Sequence, residues 1–140
     1  MADQLIPREV LNASGLIIIH VTVAATKVAT RGQAGKLSGI GTAENVAAVT
    51  DDAVGIFLES GVAGAKVKLA LWGAGICKAL VGTNGATRGA PAKFEATGLT
   101  DATQGGGTVK QFLAGQFLES GTVGELVALN MAMGGWGVSA

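Results

Sequence analysis

The chain predicts an all-β protein: a compact β-barrel or β-sandwich built from two tandem pseudo-repeats, with an extended N-terminal arm. Three observations carry this. The phrase GIFLESGVAG at 55–64 returns as GQFLESGTVG at 115–124. Apolar residues alternate with a period of two through the segments around each phrase, the spacing of strands with one buried face. The 140 residues include 23 glycines and only 2 prolines, which favours frequent tight turns over long helices.

The elements follow in order. Residues 1–14 are mostly polar and read as an arm. Leu5, Ile6, Val10 and Leu11 are its apolar anchors and are candidate partner-binding residues, because an arm that orders on a partner must bury apolar area to offset its lost entropy. A frayed terminus is the alternative. GLIIIHVTVAA at 15–25 is rich in β-branched residues and predicts a strong strand, either a core strand or an edge open to a neighbouring chain.

Two copies follow, over 27–72 and 84–131, joined by GAGICKALVGTNG. ATRGQAGKL at 29–37 returns as ATRGAPAKF at 86–94, in the same order relative to the FLESG phrase. Two copies are too few for a solenoid. Val54, Ile56 and Leu58 alternate with Gly55 and Phe57; Val67, Leu69 and Leu71 alternate with Lys66, Lys68 and Ala70. Each FLESG unit therefore reads as strand, Gly-rich turn, strand. Glu59 and Ser60, repeated as Glu119 and Ser120, sit at the turn, where their local role is to bond backbone N–H groups. A helical start at Thr100 or Asp101 is stopped by Gly105, Gly106 and Gly107. A single β domain spans 15–133. Residues 134–140 read as a tail anchored by Trp136, a further candidate partner-binding residue. Trp72 reads as core or as an interface anchor.

Composition narrows the function classes. Ten basic and ten acidic residues cancel, so there is no basic field to hold phosphates, and direct nucleic-acid binding is not expected. The longest purely apolar run, Leu16 to Ile19, is too short to cross a bilayer, and no membrane association is expected. The first residues carry acids beside Arg8 and do not read as a signal peptide. Cys77 is the lone cysteine, so no internal disulfide is available.

The candidate chemistry is thin. His20, the lone histidine, lies within a strand and reads as a paired imidazole rather than a general base. GIGTAENV at 39–46 puts Glu44 where a dinucleotide loop needs its last glycine, and that charge opposes a pyrophosphate. GQAGKLSG lacks the first Walker glycine. Both read as turns. Asp51, Asp52 and Asp101 lack the alternating ligands of a calcium loop and read as turn residues. Lys66 and Lys68 read as protection of a strand edge. Lys78 beside Cys77 could lower a thiol pKa, but ICKALV reads first as a strand. No catalytic, cofactor or metal residues are assigned, and the chain is not expected to be an enzyme.

AVTDDAVGIFLESGVAGAKVKLAL at 48–71 and FLAGQFLESGTVGELVALNM at 112–131 resemble the small capsid decoration, or cement, proteins of tailed bacteriophages. The resemblance covers most of the chain after about position 27. It implies a small, β-rich, non-enzymatic virion protein, placed on the capsid exterior and assembled in the host cytoplasm. It further implies a homotrimer that binds the major capsid protein and holds the shell against internal pressure. Two other readings stay open. One is another virion subunit, such as a tail-tube or fibre component. The other is a small β-barrel ligand-binding domain or enzyme using His20, or Glu59 with Glu119.

Overall fold

A computed structural model of the chain describes residues 15–103, 107, 110–133 and 135–138. The expected arm, with Leu5, Ile6, Val10 and Leu11, lies outside them. The described residues are all-β apart from one 3₁₀ turn at Met131–Met133. The choice between barrel and sandwich resolves as barrel.

The first barrel uses β1 (Ile18–Val23), β3 (Ala34–Gly39), β4 (Thr42–Asn45), β5 (Ala53–Phe57) and β7 (Lys66–Leu71). Their closed order is β1-β4-β3-β5-β7. β1 runs parallel to β4, and every other neighbouring pair is antiparallel. A ribbon of β2 (Val28–Ala29) and β6 (Gly61–Val62) lies where β1 and β5 end. Alternation sets the faces. Phe57, Leu69, Val67, Val21 and Val23 fill the barrel, while Ile56 and Ala70 point out of it.

The second half repeats this layout with β8 (Ile76–Leu80), β9 (Pro91–Glu95), β10 (Gly98–Asp101), β11 (Lys110–Phe117) and β12 (Leu126–Asn130). Its order is β10-β9-β11-β12-β8, in a sheet that does not close as the first does; an isolated parallel bridge, Val81 to Leu99, brings β8 back towards β10, and this half is called the second barrel for that likeness. Equivalence holds at single bonds. Gly32 N–H donates to Phe57 O at 2.8 Å, and Gly89 N–H to Phe117 O at 2.7 Å. Leu58 N–H donates to Lys68 O, and Leu118 N–H to Ala128 O, both at 2.9 Å. Ile19 faces Leu69 on β7 as Cys77 faces Leu129 on β12.

This last pair moves the repeat boundary. ICKAL is not a connector between the copies; it is the first strand of the second copy, as β1 is of the first. Only the barrel strands' hydrogen bonds reveal this, because IIHVTV and ICKAL share little sequence. The expected tail also contains a strand, β13 (Gly135–Val138), which pairs with the first half of β11 and sets Trp136 opposite Phe112. The expected helical start at Thr100 and Asp101 is instead β10, since Thr100 and Asp101 pair with Lys93 and Ala92.

The two barrels share one core. Ala34, Val46, Ile56 and Ala70, outside the first barrel, pack in a continuous cluster with Phe94, Leu99, Phe117 and Leu129 of the second. Trp72 closes the seam. Its ring stacks on Phe94 at 6.3 Å and meets Phe112 at 5.4 Å, and its Nε1–H donates to Ala53 O at 2.8 Å. The buried Gln33 is the seam's polar pin. Its Nε2 donates to Glu95 O and Ala96 O at 3.0 and 2.9 Å, and its Oε1 accepts from Ala34 N–H.

Gly55 and Gly115 hold equivalent tight crossings. A Cβ at Gly55 would stand 1.9 Å from Ala70 O, and one at Gly115 would stand 2.2 Å from Asn130 O. Backbone cannot retreat there without breaking the ladder. Gly55→Ala and Gly115→Ala are each expected to cost about 3 kcal/mol in urea unfolding. Gly64→Ala, at φ 86° with open space around it, is expected to cost about 1 kcal/mol.

Candidate functional site

The repeated turn is the first place to look, because both copies keep it. Ser60 Oγ accepts the N–H of Arg31 at 2.9 Å, and Ser120 Oγ accepts the N–H of Arg88 at 2.9 Å. Each serine thus ties its turn to the ATRG segment of its own copy. Glu119 accepts Lys78 Nζ at 2.7 Å and Ala128 N–H at 2.8 Å. The Lys78 bond, with Ala128 N–H behind it, holds the Glu119 carboxyl below the usual glutamate range. Glu59 has no such ion pair among the described residues. Ser60, Ser120 and Glu119 thus accept backbone N–H groups, the local role read for them from the sequence.

A second repeated lock was not read from the sequence. Thr30 N–H donates to Asn45 Oδ1 at 2.9 Å, and Thr87 N–H donates to Asp101 Oδ1 at 2.8 Å. Its signal was available: the Thr of each ATRG has an Asx residue 15 or 14 positions on. Asp101 lies in strand β10 rather than in a turn, and its carboxylate ties down the distant Thr87. Asp51 is turn chemistry, as expected, since its Oδ2 accepts Ala47 N–H at 2.6 Å and Ala48 N–H at 3.1 Å, with Lys36 at 3.2 Å. The Ala47 bond leads in lowering its pKa. Among the described residues no three His, Cys, Asp or Glu side chains gather to hold a metal.

Other expectations change. His20 is exposed on the outer face of β1, opposite Lys68. The parity of the strand puts Ile19 and Val21 inward and His20 outward. Lys66 and Lys68 do not guard an edge, because β7 is bonded on both sides by β1 and β5. They lie on the wet face of a closed barrel. GQAGKLSG is β3 rather than a turn, while Ile40 and Gly41 do make the β3–β4 hairpin. Cys77 points inward and Lys78 outward, so the lysine does not activate the thiol. Burial pushes the Cys77 thiol up to about 12. Trp136 lies in β13.

A cleft of about 420 Å³ opens between the barrels, with Leu16, Ile18 and Leu58 as apolar lining and Glu59, Lys68 and Lys78 around it. Lys78 is already committed to Glu119. Arg31, Phe57 and Cys77 complete its described lining. The more distinctive surface is apolar and belongs to the first barrel. Ile17, Leu37 and Ile40 are exposed, as are Val28 and Val62, which face each other across β2 and β6. The sequence did not mark these residues, and GQAGKLSG, which holds Leu37, read as a turn.

Compared with protein-family models and with curated proteins, the chain matches none.

Two outcomes check this reading. Because folding lowers the Glu119 pKa, ionised Glu119 adds stability above the ordinary glutamate range, and the increment disappears as pH falls through the lowered folded value. Glu119→Gln should therefore lower the unfolding midpoint at neutral pH, with the gap closing in acid. Cys77 should resist a thiol reagent in the native protein at mildly alkaline pH and react at once on unfolding.

Proposed function

We propose that the chain is a structural virion protein that binds the outer face of a phage capsid and stabilises it. Its partner is the major capsid protein, and it acts as a homotrimer without catalytic chemistry. The observation that carries this reading is the set of exposed large apolar side chains on both halves: Ile17, Ile18, Val28, Leu37, Ile40 and Val62 on the first, and Ile76, Leu118, Val123 and Leu126 on the second. Exposed apolar groups clustered on a rigid body are the mark of an associating surface. The shared core supports the same reading, because a pre-ordered body loses little entropy on docking. Many modest contacts, repeated over a symmetric shell, then add through multivalency.

The test is location. Gradient-purified particles should contain the chain, and immunogold should mark it on the shell exterior. The purified protein should co-sediment with assembled shells and not with free capsid subunits. Label confined to the tail would move the chain to a tube or fibre role. Absence from the particle would end the virion reading.

A further inference from the structure

We infer that the two ends of the first barrel are the two halves of a head-to-tail interface between copies of this chain. Strand directions define the ends. β5 runs with β1 and β4, and β3 and β7 run against them. The start of β1, the β3–β4 hairpin, the start of β5 and the end of β7 therefore meet at one end, the tail. The β2–β6 ribbon lies at the other, the head, where Gly64 N–H and Ala65 O bond Val23 at 2.9 and 2.8 Å.

Both ends are apolar, and no described residue buries them. At the tail, Ile17 is 54% exposed, Leu37 48% and Ile40 106%. At the head, Val28 and Val62 are 52% and 71% exposed as a cross-strand pair. The second barrel shows what each position looks like when it has no such task. The Phe94 position, equivalent to Leu37, is 0% exposed because the first barrel's Trp72 covers it. The positions equivalent to Val28 and Val62 are Gly85 and Thr122. The tail of one barrel is thus already closed by apolar side chains of another within this molecule, and the remaining open tail is left for another molecule.

Charge selects the second copy as the occupant. Lys36 and Glu44 face each other across β3 and β4 as an ion pair at 3.8 Å and cancel. Among the other described residues, the head carries Lys27, Arg31 and Lys66 against Glu59, a surplus of positive charge, and the tail carries Asp51 and Asp52, a surplus of negative charge. Head against head, or tail against tail, sets like charges together; head against tail sets opposite ones. A heterologous contact of this kind makes a ring when the rotation closes and a filament when it does not. The inference rests on the self-association part of the proposed function and supplies its surface.

Light scattering and sedimentation of the purified chain test it, with Ile40→Asp at the tail and Val62→Asp at the head. Both residues are exposed, so both variants should keep the wild-type circular dichroism. Val123→Asp, on an exposed turn of the second barrel, is the control. The wild type and Val123→Asp should run as a small integral multiple of 13.8 kDa. Each interface variant should associate on the order of 100-fold more weakly. A mixture of the two variants should restore a dimer with one copy of each, since one intact head still meets one intact tail. A monomeric wild type, a variant that keeps the wild-type mass, or a mixture that stays monomeric would each overturn the interface. A monomeric wild type would leave shell binding standing, because that reading falls only on the chain's absence from the shell. Open filaments would keep the interface and move the function toward a tail tube.

Discussion

Ile56 and Ala70 point out of a closed barrel, side by side on β5 and β7, and a lone barrel could not hide them from water. Two outward apolar residues next to Ala34 and Val46 make a face that must be covered. The second barrel covers it, and its own open end, at Phe94 and Cys77, is closed in return. Gln33 fixes the relative position of the two barrels, because its buried amide is satisfied only when the β9–β10 hairpin lies against it. Trp72 then seals the rim of the seam. The two halves therefore form one body with one core, rather than two domains on a linker.

The same constraint explains where the two copies differ. A contact that joins the outer face of one barrel to the open end of the next could go on adding barrels. The second copy stops it. Gln116 and Asn130 occupy the positions of Ile56 and Ala70, and both are turned to local backbone: Gln116 Nε2 donates to Gly89 O, and Asn130 Oδ1 accepts from Ala132 N–H. A polar outer face offers nothing to a third barrel. The open ends that the duplication leaves, at Leu37 and Ile40 and at Val28 and Val62, lie on the first barrel, while Ile76, Leu118, Val123 and Leu126 are exposed on the second.

Much of this architecture could be read from the residues, and the failures have physical causes. FLESG and ATRG announced the repeat because their residues serve backbone needs that recur: a serine to cap an N–H, and glycines where chains cross. Strands with period-two alternation were legible at 54–58 and 66–71. The start of the second copy was hidden because β1 and β8 keep only inward volume, with Cys77 in the place of Ile19. The face that His20 takes was not legible, because apolar residues flank it on both sides of the strand; pairing with β7 sets Ile19 and Val21 inward and His20 outward. Lys66 and Lys68 suggested an edge, but closure of the ring is a long-range property that no local window carries. The exposed apolar ends were also illegible, since Leu37 and Phe94 hold the same inward position and differ only in what lies over them.

The central claim, one cooperative body with a shared core, is open to native-state hydrogen exchange with increasing denaturant. The most protected amides of the first barrel, around Phe57 and Leu69, should open with the same free energy and the same denaturant dependence as those around Phe117 and Leu129 in the second. Two distinct global values, with one barrel exchanging while the other stays closed, would contradict it.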